Sequence, residues 1–456
     1  MKISTIILAA GKGTRMRSEK PKVMHEIAHK PLLKHVYDMS QQLEHNSITI
    51  VYGHGGELLK NHFADLPVNW TEQAQQLGTG HAVQQALPFI QDDDQVLILY
   101  ADVPLLKLAT VQRLLSLSDS NTLALLTVNL SSPKGYGRIV RCAQNNVQKI
   151  VEEKDATEAE KLIQEVNTGI MAVPGKRLKN WLQSLTNHNA QGEYYLTDII
   201  AMAVADKVTI MTTQPEDEDE VLGVNDRNQL YHLERVYQLE QAGYLMEQGV
   251  TLIDAKRFDL RGRVEQLGRD VEIDVNVILE GQIRLGNNVK IGANCVLKNA
   301  FIGDDVEILA NSIIEDAVIG EGCRIGPFAR IRPGSEIADH VHIGNFVEIK
   351  KSTIATGSKV NHLSYIGDTT MGSKVNIGAG TITCNYDGVN KFRTVIEDGV
   401  FVGSNTQLVA PVKVGKNATI GAGSTITKDA PDNQLTLARA KQVTISSWQK
   451  PVKKEQ

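Results

Sequence analysis

The chain has 456 residues, a net charge of −5, 42% hydrophobic and only 5% aromatic residues, and a pI near 6.2. That length exceeds one ordinary core, so two domains are expected. The acidic balance leaves no basic surplus for a nucleic-acid backbone. No run approaches the roughly 20 apolar residues that span a membrane, so the reading is a cytoplasmic protein with neither nucleic-acid nor membrane partners.

The first segments alternate short aliphatic runs with amphipathic stretches. Residues 5–10, 48–52, 96–100 and 123–130 read as buried, parallel strands, and residues 31–43, 79–87 and 110–117 as helices. Strands alternating with helices predict an α/β sandwich whose ligands sit beyond the carboxyl ends of the strands. The first strand runs into Leu8-Ala9-Ala10-Gly11-Lys12-Gly13-Thr14-Arg15-Met16. Glycines there let backbone N–H groups approach phosphate oxygens, while Lys and Arg supply charge. It is neither a Walker loop nor a dinucleotide fingerprint, because Met16 stands where the third glycine belongs. The acidic run 216–220 reads as a solvated loop. Cys142, Cys295, Cys323 and Cys384 have no CxxC or metal-like spacing and read as reduced thiols.

Residues 225–249 have helical spacing, with Gly249 as a stop, and suit a connector. After Asp270 the aliphatic period becomes six: Ile273, Leu279, Leu285, Ile291, Leu297, then Ile319 to Ile349, then Leu408 to Ile426. Glycine often follows at once, as in Ile291-Gly292, Ile343-Gly344 and Ile377-Gly378, and reads as the residue that turns each corner. The stretch around residues 383–394 breaks the period and should project as a loop.

These patterns resemble two families. The nonapeptide at residues 8–16, with Lys22 soon after, looks like the signature of the sugar-nucleotidyltransferase superfamily, which transfers a nucleotidyl group to a sugar 1-phosphate. Gln73 with Gly78 and Thr79, Tyr100-Ala101-Asp102, and Asn225 resemble its nucleobase- and metal-binding segments. The six-residue period resembles the left-handed parallel β-helix of hexapeptide-repeat proteins, which commonly trimerise. The fold class expected is therefore α/β with a Rossmann-like mixed sheet, followed by that β-helix. Expected domains are residues 1–226, a linker helix 227–249, and residues 250–456 with a C-terminal tail.

Taken end to end, the chain is similar to the bacterial family that joins N-acetylglucosamine-1-phosphate uridyltransferase to glucosamine-1-phosphate N-acetyltransferase. The segments GPFARIRPG, KVNHLSYIGD and NIGAGTITCNYDGVNKF carry the second half of that likeness. It implies UTP or UDP-sugar contacts from Leu8, Ala9, Ala10, Gly11, Lys22, Gln73, Gly78, Thr79, Tyr100, Ala101, Asp102, Gly137, Glu152, Asn167 and Asn225. Asp102 and Asn225 would hold Mg²⁺, while Arg15 and Lys22 would stabilise charge in transfer. It also implies His362 as base, and Arg332, Lys350, Tyr365 and Asn376 around glucosamine 1-phosphate. Ala379, Asn385, Tyr386, Ser404, Ala422 and Arg439 would meet acetyl-CoA, between the prisms of a homotrimer. One departure stands out: Ala101 replaces the family's usual glycine, where a methyl could weaken nucleotide binding. The alternative reading is a monofunctional nucleotidyltransferase with a purely structural β-helix, against which His362 and the Asn385-Tyr386-Asp387-Gly388 insert argue. A non-enzymatic scaffold is opposed by the joint presence of Lys22, Asp102, Asn225 and His362.

Overall fold

The structure is a computed structural model that describes residues 2–53 and 55–453. Met1 and residues 454–456, the outermost ends of the two expected domains, lie outside the described residues. The chain forms two compact units, Met1–Tyr237 and Gln238–Gln456.

In the first unit nine strands form one sheet: β1 (Ile3–Ala9), β2 (His45–Tyr52), β3 (Asn69–Glu72), β4 (Gln95–Tyr100), β5 (Thr122–Asn129), β6 (Arg138–Arg141), β7 (Val147–Val151), β8 (Glu165–Pro174) and β9 (Thr209–Thr213). Their order is β9-β5-β8-β4-β1-β2-β3, with the β6–β7 hairpin joined to β8. β1 is parallel to β2 and β4, whereas β8 runs antiparallel to both β4 and β5, which makes the sheet mixed. The aliphatic runs are continuous because both faces are covered. Ile7, Leu97 and Leu99 pack with Val36 of α1 (Leu32–Ser40) and Leu114 on one face; Ile6, Leu8, Val96 and Ile98 pack with Val83 and Leu182 on the other. The acidic run is exposed at Glu216, Asp217 and Glu218 as expected, and departs from expectation at its last residue. Residues Glu218–Val221 form a 3-10 turn, and Glu220 is buried and accepts a 2.7 Å hydrogen bond from the Thr110 hydroxyl. The Thr110 hydroxyl, on the helix Leu108–Ser116, gives one acid of the run a partner in the interior, and sequence charge alone does not reveal that neighbour.

The helix Arg227–Glu247 is present, and its halves serve different units. Leu233 packs with Met16, Ile27 and Leu32. Ala242 and Leu245 join the first coil around Phe258 and Leu260, where the Gln238 amide donates to the Leu260 carbonyl and accepts from its N–H.

The second unit is a parallel β-helix. Each short strand pairs with its counterpart one coil on, as Ile291 with Ile308, Ile308 with Ile325 and Ile325 with Ile343. The hexad aliphatics line one continuous buried core. The glycines play only part of the role expected. Gly326 does turn its corner (φ 97°), but Gly292, Gly344 and Gly378 lack positive φ, and there the corner falls two residues later, at Asn294 (φ 62°), Phe346 (φ 56°) and Gly380 (φ 76°). Asn suits those corners because its side chain hydrogen-bonds its neighbour, Asn276 Nδ2 reaching Asn294 Oδ1 at 2.8 Å. The glycines are needed for coil spacing: a Cβ at Gly378 would lie 2.5 Å from the Ser404 nitrogen, and one at Gly292 2.8 Å from the Ala310 nitrogen. Among the described residues no helix is long and apolar enough to cross a membrane.

Candidate active sites

The carboxyl ends of β1 and β4 open onto two cavities that share a wall. The first, about 380 Å³, is lined by the loop Leu8, Ala9, Ala10 and Gly11, by Lys22, by Gln73, Gly78 and Thr79, and by Tyr100 and Asp102. The second, about 220 Å³, is lined by Arg15, Asn225, Thr168, Lys134 and Tyr136, with Tyr100 and Asp102 again forming one side. Chain direction explains the convergence, since parallel strands end together and their loops project from one edge.

Lys22 lies along the glycine loop, and a Cβ at Gly13 (φ 60°) would come 2.8 Å from Lys22 Cβ. Its ammonium pairs with Asp102 Oδ2 and donates to Asn225 Oδ1 at 3.2 Å. Gln73 is buried and donates to the Gly78 carbonyl at 2.9 Å, while Gln76 donates to the Ala10 carbonyl at 3.0 Å, tying the two loops together. Ala101 sits elsewhere. It is wholly buried, its N–H donates to the Leu8 carbonyl at 3.0 Å, and its methyl belongs to the core beneath the sheet, lining neither cavity.

Gly137, Glu152 and Asn167 form a second cluster on the same edge. The Asn167 N–H donates to the Gly137 carbonyl at 2.8 Å, and a Cβ on Gly137 would lie 3.4 Å from both Glu152 carboxylate oxygens. The register of β8 shifts between Asn167 and Met171, and Gly169 (φ 84°) carries the chain past Tyr100. Such a bulge re-aims side chains at a rim. Burial raises the Glu152 carboxyl pKa, although the Thr197 hydroxyl donates to it at 2.9 Å.

On the β-helix the candidate residues fall into columns. Ile331, Ile349 and Ile366 point inward, so Arg332, Glu348, Lys350 and Tyr365 present outward on one face of successive coils. Arg332 Nη1 donates to Glu348 Oε1 at 2.6 Å. The Tyr365 ring has room because a Cβ on Gly367 would be 2.6 Å from its Cζ. His362 stands at the corner before this face, exposed, and its imidazole has no hydrogen-bond partner among the described residues. Ala379, Ser404 and Ala422 occupy that same corner one, two and three coils on, linked by the N–H of the following residue donating to the carbonyl below. Arg439 Nη1 donates to the Ala422 carbonyl at 2.8 Å and extends the column. Asn376 is on the neighbouring face, opposite Lys359 and Phe401. Asn385 and Tyr386 leave at the far corner, where Tyr386 and Lys391 close the exposed insert. One chain thus gathers Arg332, Lys350, Tyr365 and His362 along one face and the corner before it, places Asn376 on the adjacent face, and sets Asn385 and Tyr386 at a different corner from the His362 column.

Residues 5–167 match the model for the MobA-like NTP transferase domain, and residues 393–428 match the bacterial transferase hexapeptide family of six repeats. Residues 266–335 match the GMPPB C-terminal domain. A protein of Methylococcus capsulatus named "Bifunctional protein GlmU" is 62% identical over 453 residues, 99% of this chain and 98% of that protein. The chain belongs to the GlmU family. A second GlmU, from Azoarcus sp. strain BH72, is 57% identical over 451 residues, covering 99% of this chain and all of its own. A solved UDP-glucose pyrophosphorylase complexed with UDP-glucose aligns at TM-score 0.44 and 16% identity, covering 52% of this chain and 98% of that one.

For this GlmU-family chain, sequence reasoning left out several groups that the cavities bring in. Lys12 and Glu193 line the first, and Lys134 and Tyr136 the second. Lys12 was visible inside the glycine loop as a phosphate-range cation. Lys134 and Tyr136 precede Gly137 in the chain, yet only the fold of the β6–β7 hairpin turns them toward Asp102. Gly367 was likewise inside a quoted segment, KVNHLSYIGD, and its role, like that of Glu348, comes from stacking between coils.

Proposed function

We propose that this chain makes UDP-N-acetylglucosamine in two steps: acetyl transfer from acetyl-CoA to glucosamine 1-phosphate, then uridylyl transfer from UTP to the resulting N-acetylglucosamine 1-phosphate. Residues 1–226 carry the second step and residues 250–456 the first, joined by the helix 227–249. The observation that carries the uridylyl assignment is the pair of cavities sharing Tyr100 and Asp102, one with a glycine loop and Lys22, the other with Arg15. A triphosphate in the first and a sugar phosphate in the second bring their phosphates to one wall, so positioning and charge neutralisation supply most of the catalysis. The sugar-phosphate oxygen attacks the α-phosphorus in line and pyrophosphate leaves. Lys22 and Arg15 hold the charge that builds on either side. Gln73 and the Gly78–Thr79 turn read the base, and Gly137, Glu152 and Asn167 hold the sugar.

Asp102 and Asn225 suit Mg²⁺: a carboxylate and an amide oxygen, both hard donors, already converge on one cationic group, the Lys22 ammonium. When bound, the ion neutralises phosphate charge and orients the leaving pyrophosphate.

In the acetyl-transfer step His362 takes the proton from the amine as it attacks the thioester carbonyl, a task suited to an imidazole. Arg332 and Lys350 bind the sugar phosphate, with Tyr365 and Asn376 beside it. Ala379, Ser404, Ala422 and Arg439 form the acetyl-CoA wall, and Asn385 and Tyr386 complete it from another copy in a homotrimer. The separation of these groups between corners of a single prism supports the trimer. Reduced thiols and a cytoplasmic setting fit this chemistry.

The paired assay tests the reading. Purified protein should release thiol from acetyl-CoA with glucosamine 1-phosphate, and pyrophosphate from UTP, Mg²⁺ and N-acetylglucosamine 1-phosphate. Asp102→Asn should abolish only the pyrophosphate signal and His362→Ala only the thiol signal. Loss of both signals from either substitution in a folded trimer contradicts two independent sites.

A further inference from the structure

We infer that Lys22 is a built-in stand-in for the divalent ion at the uridylyl site, so that nucleotide must draw its ammonium away before the ion is held well. The inference rests on the reading of Asp102 and Asn225 as the ion's ligands. Three observations carry it.

The first is convergence. Asp102 follows β4, and Asn225 lies far along the chain before the long helix, yet both oxygens meet at Lys22 Nζ. Among the described residues no other cation touches either oxygen. The second is enclosure. The Lys22 and Asp102 side chains are 11% and 16% exposed, so the pair sits where water screens charge poorly. An ammonium and a divalent cation placed a few ångströms apart there repel, and the two cannot occupy the oxygens together.

The third is an alternative place for the ammonium. The Lys22 stem runs over the glycine loop, and a Cβ on Gly11 would lie 3.9 Å from both Cε and Nζ. Rotation about the terminal torsions of the stem swings the ammonium from the carboxylate toward the first cavity, which the same loop lines. A triphosphate arriving there offers several anionic oxygens in place of one carboxylate and one amide. Its binding therefore releases Asp102 and Asn225, whose oxygens would then be free to hold a divalent ion. Lys22 thereby acts as both phosphate ligand and gate, and nucleotide precedes the ion.

The arithmetic is that of a binding-competent minority. Apparent affinity falls by the fraction of molecules whose oxygens are free, so a site open in about one molecule in ten binds about tenfold more weakly. The experiment measures Mn²⁺ binding to the full chain without nucleotide, by the loss of the free-ion electron paramagnetic resonance signal. Lys22→Met and Lys22→Gln, which keep the stem and remove the charge, should each bind Mn²⁺ about tenfold more tightly than the unaltered chain. Arg15→Ala removes a cation that lines the neighbouring cavity without touching either oxygen, and should stay within about twofold. Circular dichroism confirms that each variant is folded.

Equal Mn²⁺ affinity in the unaltered chain and in both Lys22 variants overturns the inference. An equal rise in Arg15→Ala also overturns it, because the effect is then general charge. The double variant Lys22→Met/Asp102→Asn separates this result from the underlying site reading. If its Mn²⁺ affinity remains raised, the ion sits elsewhere and the Asp102 assignment itself falls. If the Lys22 variants gain nothing while Asp102→Asn still abolishes pyrophosphate release, the site stands and only the gate is wrong.

Discussion

Ala101→Gly restores the family's usual residue beside Asp102, and the structure predicts that the change costs stability and leaves nucleotide affinity alone. The Ala101 methyl is wholly buried in the core under the sheet and lines neither cavity, while its N–H is held by the Leu8 carbonyl. Removing one buried methyl costs about 1 kcal/mol. Freeing the backbone at that position costs a further ~0.5–1 kcal/mol. The sum, about 1.5–2 kcal/mol, lowers the midpoint of a unit of this size by roughly 3–8 °C. Differential scanning calorimetry reads the transition of the first unit, and isothermal titration calorimetry reads UTP binding. UTP affinity within about twofold of the unaltered chain is expected. A tightening of tenfold or more would refute the reasoning, because it would mean that the methyl, or the backbone it constrains, presses on the nucleotide.

Three further outcomes follow from other residues. Gly13→Ala places a methyl 2.8 Å from Lys22 Cβ at a positive φ; pyrophosphate release should fall by more than about tenfold, with thiol release unchanged, and equal loss of both signals would contradict it. Gly378→Ala puts a methyl 2.5 Å from the Ser404 nitrogen, backbone against backbone; the β-helix transition should lose about 1–3 kcal/mol, and an unshifted thermal midpoint would show that the coils can spread. Burial of His35 lowers its pKa to about 4, against the pull of its contact with the Ile27 carbonyl. Below pH 6.5 the unfolded chain binds a proton that the folded chain refuses, so stability falls as the pH drops toward 4, by on the order of 3 kcal/mol in total. Urea midpoints at pH 7, 6 and 5 should fall more steeply in the unaltered chain than in His35→Gln, and parallel slopes would remove His35 from the account.

Much of the first site was legible because strand ends and glycine loops are local features. Residues 8–16 announce a phosphate loop by composition alone, and the aliphatic run 96–100 announces that Asp102 sits near a strand tip. What stayed hidden depends on which remote segment arrives. Glu220 looked like one of five solvated acids until Thr110 covered it. Ala101 looked like a pocket residue because it adjoins Asp102, but successive side chains near a strand end point to opposite faces. Gly292, Gly344 and Gly378 were misread as corner residues because a six-residue period reports which residues face inward and is silent on which backbone positions adopt positive φ.

By itself the sequence determined the two regimes, the alternating α/β pattern and the hexad repeat, because period follows from local geometry and burial. It also determined the family. Only the tertiary structure decided that Tyr100 and Asp102 form a wall common to two cavities, that Lys22 bridges Asp102 and Asn225, and that His362 shares a corner with Ala379, Ser404 and Ala422. The reason is physical: such contacts are set by strand order and coil stacking, which join residues up to 203 positions apart, and no periodicity along the chain encodes which of them meet.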